Sequence, residues 1–301
     1  MKQLICHEKA QCRAALISSF VVVVCVCIGV TMNLTTIYDQ NFDHMGIRTF
    51  CMFTVLSNIL SAWAMTQILP YTVDGLRKNN YHLPNWVVTF AYAAVTSVTL
   101  TFLISLFVLS PVKGFRLIFT GSRFFLHGVC PLLAFFSFCF FISDHRIHKK
   151  TVLYSMIPVF LYSIVYYVMV VVIGQSRGGW NDFYGFATRL PIWVSAPCIL
   201  ALTAGIAFLI RYLHNKTYDS RKAKEKAFFE EELTKYGTLG AFSRMAQERC
   251  EIKCSRVIFI PYVTIQKTLE ETSSDCNVEE CCIEYLKSYL EQAEALAKSN
   301  S

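Results

Sequence analysis

Ala14-Ala-Leu-Ile-Ser-Ser-Phe-Val-Val-Val-Val-Cys-Val-Cys-Ile-Gly-Val-Thr-Met32 contains no charged residue and no turn-forming pair. At about 1.5 Å of rise per residue such a run reaches across the hydrocarbon core of a bilayer, which takes about 20 apolar residues. Its apolar core is too long for a secretory leader, and no small-residue cleavage site follows it, so it reads as an anchor. Five more segments have the same character: Ile47 to Leu69, Trp86 to Leu109, Phe124 to Ser143, Val152 to Gly174 and Pro191 to Leu213. Pro70, Pro84, Pro111, Gly174 and Pro191 mark their ends, and Trp86, Trp180 and Trp193 fall where amphipathic rings favour the interface.

The whole chain agrees with this reading. Of its 301 residues 54% are hydrophobic and 16% charged, where soluble domains carry about 25% charged residues. The expected fold is therefore all-α, a polytopic bundle of six transmembrane helices. Three regions are expected: an N-terminus over 1–13, a membrane domain over 14–213, and a small polar tail over 214–301. Net charge is +7, but the basic residues cluster beside apolar spans. They read as topology signals and headgroup contacts, and not as a nucleic-acid surface.

With the N-terminus inside, the inner segments hold Lys2, Lys9 and Arg13, then Arg77 and Lys78, then Arg146, Lys149 and Lys150. The start of the tail adds six more, from Arg211 to Lys226. The outer segments hold only Arg48, then Lys113, Arg116 and Arg123, then Arg177 and Arg189. The positive-inside rule thus places both termini in the cytosol. The tail opens with a charged helical pattern, continues in a β-type run over Arg256 to Thr264, and ends in an amphipathic stretch from Val278 to Lys298. That last helix is expected to pack on the membrane domain or on a second copy of itself. Of the thirteen cysteines, six sit in apolar runs, where they act as small hydrophobes, and five lie in the tail as reduced thiols. None forms a clean ligand set, and no metal or cofactor is expected.

Polar groups at bilayer depth are the first place to look for function. On the second span Thr54, Asn58 and Ser61 recur at helical spacing with Ser57 beside them, which puts them on one stripe. On the fourth, Phe124-Phe-Leu-His127-Gly-Val-Cys-Pro131 carries a histidine inside an apolar run. Pro131 lacks a backbone donor, and its ring clashes with the carbonyl of His127, so a kink is expected there. In the cytosolic-termini topology both spans run inward, which sets Thr54 and His127 roughly 6–11 Å below the outer boundary. A hydroxyl facing an imidazole is a nucleophile and base suited to acyl transfer. The same hydroxyls and amide can instead glue helices together or bond their own preceding turn. No carboxylate within the spans offers itself to orient the imidazole, since Asp144 lies too far along the fourth span. The remaining histidines carry less: His44, His145 and His148 read as solvated loop residues, and His7, His82 and His214 as flanks of spans.

Two of these segments also resemble the androgen-induced, six-span membrane hydrolases and their bacterial relatives, which split fatty-acid esters of hydroxy fatty acids. Phe53-Thr54-Val-Leu-Ser-Asn58 is similar to the threonine motif of that family, and His127-Gly-Val-Cys-Pro131 to its histidine motif. Trp180-Asn-Asp-Phe-Tyr184-Gly-Phe186 looks like the aromatic stretch before the last span in the bacterial members. The likeness covers Ala14 to Leu213 and leaves out the tail. It implies a lipid-ester hydrolase acting on a substrate within the bilayer, with Thr54 as nucleophile and His127 as base. The helical stripe further offers Asn58 or Ser57 to orient the pair or stabilise an oxyanion. Arg48 and Arg123 would hold a fatty-acid carboxylate, or else snorkel to headgroups. Two other classes compete: a lipid or solute transporter, and a non-catalytic membrane scaffold. Neither an acidic residue within a span nor an internal repeat favours the transporter.

Overall fold

The computed structural model describes residues 2–35, 46–78, 82–187 and 191–236. Among them there is no strand, and all their regular structure is helical. Seven helices follow in order: α1 Lys2–Thr35, α2 Phe53–Lys78, α3 Asn85–Lys113, a single turn α4 Phe115–Ile118, α5 Ser122–Phe141, α6 Thr151–Ile173 and α7 Ile192–Tyr236. Five helices are long and apolar enough to cross a membrane, namely α1, α3, α5, α6 and α7, which marks an integral membrane protein. Helix α2 spans 26 residues but is not among those five. Its polar stripe and Gln67 dilute the apolar run, so the residues that attract functional interest also weaken its signature as a span. The expected β-type run at Arg256–Thr264, the amphipathic stretch Val278–Lys298, the tail cysteines and Arg189 lie outside the described residues.

The chain divides into two compact units, one of 1–13, 71–82 and 218–301, the other of 14–70 and 83–217. In the first, the thiol of Cys12 donates to the carbonyl of Thr72. The second carries every candidate site residue. At its centre α3 packs on both α5 and α6. Helix α3 can sit there because Ala91, Ala93 and Ala94 allow close approach while Thr96, Ser97, Thr101 and Ser105 are buried. The hydroxyls of Ser97 and Thr101 bond back to the carbonyls of Ala93 and Ser97, so they cost little in an apolar setting. Tyr92, fully buried, reaches α7 through its phenol, 2.6 Å from the carbonyl of Ala207. Leu153, Phe160, Leu161 and Ile164 of α6 are exposed, the face such a helix turns to lipid.

Three of the spans contain π-helical turns: Ser105–Leu109 in α3, Phe125–Val129 and Ser137–Phe141 in α5, and Val168–Ile173 in α6. Each inserts a residue into the α ladder and rotates the side chains beyond it, a feature frequent at functional sites. Where a kink was expected at Pro131 there is a π turn, with His127 at its middle and Pro131 in the first turn of the α segment that follows.

Composition drew a boundary at His214; α7 runs from Ile192 to Tyr236, and the division between the two compact units falls after Thr217. His214 is not a simple flank either. It is fully buried and stacks on Phe138 at 4.7 Å, with Nδ1 and Nε2 at 3.0 and 3.1 Å from the carbonyls of Phe138 and His145. Asn215 completes this joint by exchanging hydrogen bonds with the backbone of Ile147.

Candidate functional site

Thr54 is the second residue of α2, 6% exposed, and it borders a cavity of about 440 Å³. Leu100, Ile104, Val159, Ile199 and Leu200 make that cavity apolar, and Tyr162, Tyr166 and Tyr184 also line it. The size falls within the range of small-molecule sites. Several helix hydroxyls bond the carbonyl one turn back, among them Thr66 to Ala62, Ser163 to Val159 and Thr203 to Ile199, while Ser61 and Thr96 do not. Thr54 makes no such bond. At the first turn of a helix the backbone N–H groups lack intrahelical acceptors. Those of Val55 and Leu56 turn to the carbonyl of Met52, whereas the Thr54 N–H lies 3.4 Å from the phenol oxygen of Tyr184.

Asn58 is fully buried, and its Nδ2 reaches two carbonyls, that of Thr54 at 2.7 Å and that of Leu126 at 2.9 Å. Two carbonyl partners fix which end of the amide is nitrogen, because oxygen there would face oxygen. One side chain thus ties the Thr54 turn of α2 to the residue preceding His127. The Oδ1 of Asn58 is left without a partner. Ser57 lies 2.9 Å from Thr101 on α3 and 3.2 Å from the carbonyl of Thr54.

His127 is 8% exposed, with Nδ1 3.0 Å from the carbonyl of Ile118 in α4. A carbonyl only accepts, so Nδ1 carries the proton and Nε2 keeps its lone pair. The ring edge of Phe119 packs against the imidazole at 6.3 Å. The orienting group that no carboxylate could supply is therefore a backbone carbonyl, brought in by the short helix between α3 and α5. Asp144 is used elsewhere; its carboxylate accepts from the N–H of Leu83 and lies 3.6 Å from His145. His127 is not one of the residues lining the cavity beside Thr54.

Arg123 donates to the carbonyl of Leu117 at 2.6 Å, and Arg48 lies exposed in the 3₁₀ turn Gly46–Cys51. Near them Asn33 of α1 donates to Thr49 and accepts from Ser122 at 3.2 Å, linking that turn with the ends of α1 and α5. Among the described residues no group of His, Cys, Asp and Glu is arranged to hold a metal.

The loop from Trp180 to Ala187 closes one side of the site. Asp182 organises it: its carboxylate accepts from the Tyr166 phenol at 2.5 Å and from the N–H groups of Phe186 and Ala187 at 3.0 and 2.9 Å. Gly185 turns the chain at φ 74°, where a side chain would be strained. Lys113 fixes the loop from α3 through the carbonyl of Phe183 at 3.2 Å. Tyr184 is thereby set over Thr54, in ring contact with Phe183, Phe186 and Tyr166. Burial pushes its phenol above the ordinary tyrosine value, and the neighbouring Thr54 hydroxyl and N–H pull it part of the way back.

Sequence reading had no means of pairing Tyr184 with Thr54, 130 residues away. The aromatic run around it was the only signal. No family model, curated protein or solved structure matches this chain.

Proposed function

We propose that the protein is a membrane-embedded lipid-ester hydrolase, with Thr54 as nucleophile and His127 as base. One observation carries this reading: the Thr54 hydroxyl, not bonded to the carbonyl one turn back, borders an apolar cavity suited to an acyl chain. The Thr54 Oγ would bond to the acyl carbon while its proton passes to the free Nε2 of His127. The same proton then goes to the departing alcohol, and water releases the acid from the acyl-threonine. The Ile118 carbonyl supports the base role by holding the Nδ1–H tautomer. Asn58, both of whose amide hydrogens are committed, fits an orienting role better than oxyanion donation. The apolar walls suit fatty-acid esters, those of hydroxy fatty acids among them. In this reading α2 is a sixth crossing, both termini are cytosolic, and the substrate enters from the bilayer. Self-association through the C-terminal segment belongs to the same proposal.

A second reading, a lipid-binding scaffold or transporter without catalysis, is favoured by His127 lying off the cavity wall. Purified full-length protein in detergent separates the two. Hydrolysis of a fatty-acid ester of a hydroxy fatty acid and labelling by a fluorophosphonate are expected of the wild type. Both should vanish in Thr54→Ala and His127→Ala while lipid binding persists. Full activity in both variants would reject the Thr54–His127 pair; lipid binding without turnover in wild type would favour the scaffold.

A further inference from the structure

Resting on the hydrolase reading, we propose that the peptide N–H of Thr54 and the phenol O–H of Tyr184 together form the oxyanion site. Both residues border the same cavity, and the N–H now rests on the phenol oxygen at 3.4 Å, longer than an ordinary N–H···O bond. An ester carbonyl oxygen arriving between them displaces that weak contact and accepts from both groups. As Thr54 Oγ bonds to the carbon, the carbonyl π pair moves onto this oxygen and the Thr54 proton moves to His127 Nε2. Charge then builds where two fixed donors converge, in a setting that lets them act strongly.

The Tyr184 phenol lies against the hydroxyls of Thr54 and Tyr162, whereas other nearby donors are committed to fixed acceptors. Asn58 gives its Nδ2 to the carbonyls of Thr54 and Leu126, His127 gives Nδ1–H to Ile118, and Ser57 meets Thr101 and the Thr54 carbonyl. The N–H groups of Val55 and Leu56 are held by Met52. Tyr184 needs no rearrangement of its loop to serve, because Asp182 and Lys113 fix that loop from two sides.

A trifluoromethyl ketone carrying a fatty chain tests this, since Thr54 would add to it and leave an alkoxide in the oxyanion position. The matching carbinol, which cannot be attacked, reports cavity binding alone. In Tyr184→Phe, affinity for the ketone and kcat for ester hydrolysis are each expected to fall by about 10²-fold. Carbinol affinity and KM should stay within about twofold of wild type, the limit of a change that spares the cavity. If Tyr184→Phe keeps wild-type ketone affinity and kcat, this inference falls and the hydrolase reading stands. If wild type neither hydrolyses ester nor adds to the ketone, both fall together. Should the variant lose carbinol binding, 3-fluorotyrosine at position 184 decides, as it keeps the packing and makes a stronger donor. Several-fold tighter ketone binding is then expected, and unchanged binding overturns the inference.

Discussion

The amide nitrogen of Asn58 lies 2.9 Å from the carbonyl oxygen of Leu126, joining two helices through residues 68 apart in sequence. The same nitrogen serves the carbonyl of Thr54. A fully buried amide is expensive in an apolar setting, and this one offsets its cost by satisfying two carbonyls at once. The site residue of α2 is thereby held at the level of the π turn that carries His127.

Asn58→Ala removes the bridge and leaves the Leu126 carbonyl buried without a donor. Thermal unfolding in detergent should show a loss of about 1–3 kcal/mol. Asn58→Asp should be worse at neutral pH, since a carboxylate would face two carbonyl oxygens. Its protonated form can donate to one of them, so this variant should be more stable at low pH than at neutral pH. A flat pH profile for Asn58→Asp would show that the bridge does not bear on stability.

Close helix approach at this level makes a second prediction. A Cβ on Gly29 of α1 would stand 2.9 Å from Cδ2 of Leu126 and 3.0 Å from Cβ of Phe125. The leucine tip can swing aside; the phenylalanine Cβ, fixed to its backbone, cannot. Gly29→Ala is expected to cost about 1–3 kcal/mol by overpacking. Because the displaced residues belong to the π turn of His127, activity should fall with it. An alanine variant that unfolds at the wild-type temperature would place α1 farther from α5 than the structure does.

How much of this was legible in the sequence follows from what sequence patterns encode. Thr54, Ser57 and Asn58 stood out because polar residues at helical spacing are conspicuous in an apolar run, and His127 for the same reason. The Ile118 carbonyl that holds His127 had no such signal, since every residue has a carbonyl and only the fold selects one. Tyr184 was visible as part of an aromatic stretch, but its partner was not, because a loop position relative to a helix end depends on Asp182 and Gly185 acting locally. His214 was misplaced because charge density rises just after it, and composition cannot see that one imidazole is folded inward against Phe138. The polar stripe also explains why α2 meets the length but not the apolarity of a span.

The apolar cavity gives the last prediction. Ala196 of α7 lines it together with Leu100 and Val159, and it is the smallest side chain on that wall. Ala196→Phe would put an aromatic ring into a space of about 440 Å³ and leave Thr54, Tyr184 and Asn58 themselves unchanged. If the cavity holds the acyl chain, long-chain esters should lose far more in kcat/KM than an acetate ester, because binding of the remote chain supplies the energy that positions the carbonyl. The loss for a long chain should reach at least tenfold, the effect of forfeiting about 1.4 kcal/mol of binding. Competition between a long-chain and an acetyl p-nitrophenyl ester on the same preparation measures this ratio directly. Equal losses for both would place the acyl chain outside this cavity, and the lipid-facing side of α6 would then be the surface to probe.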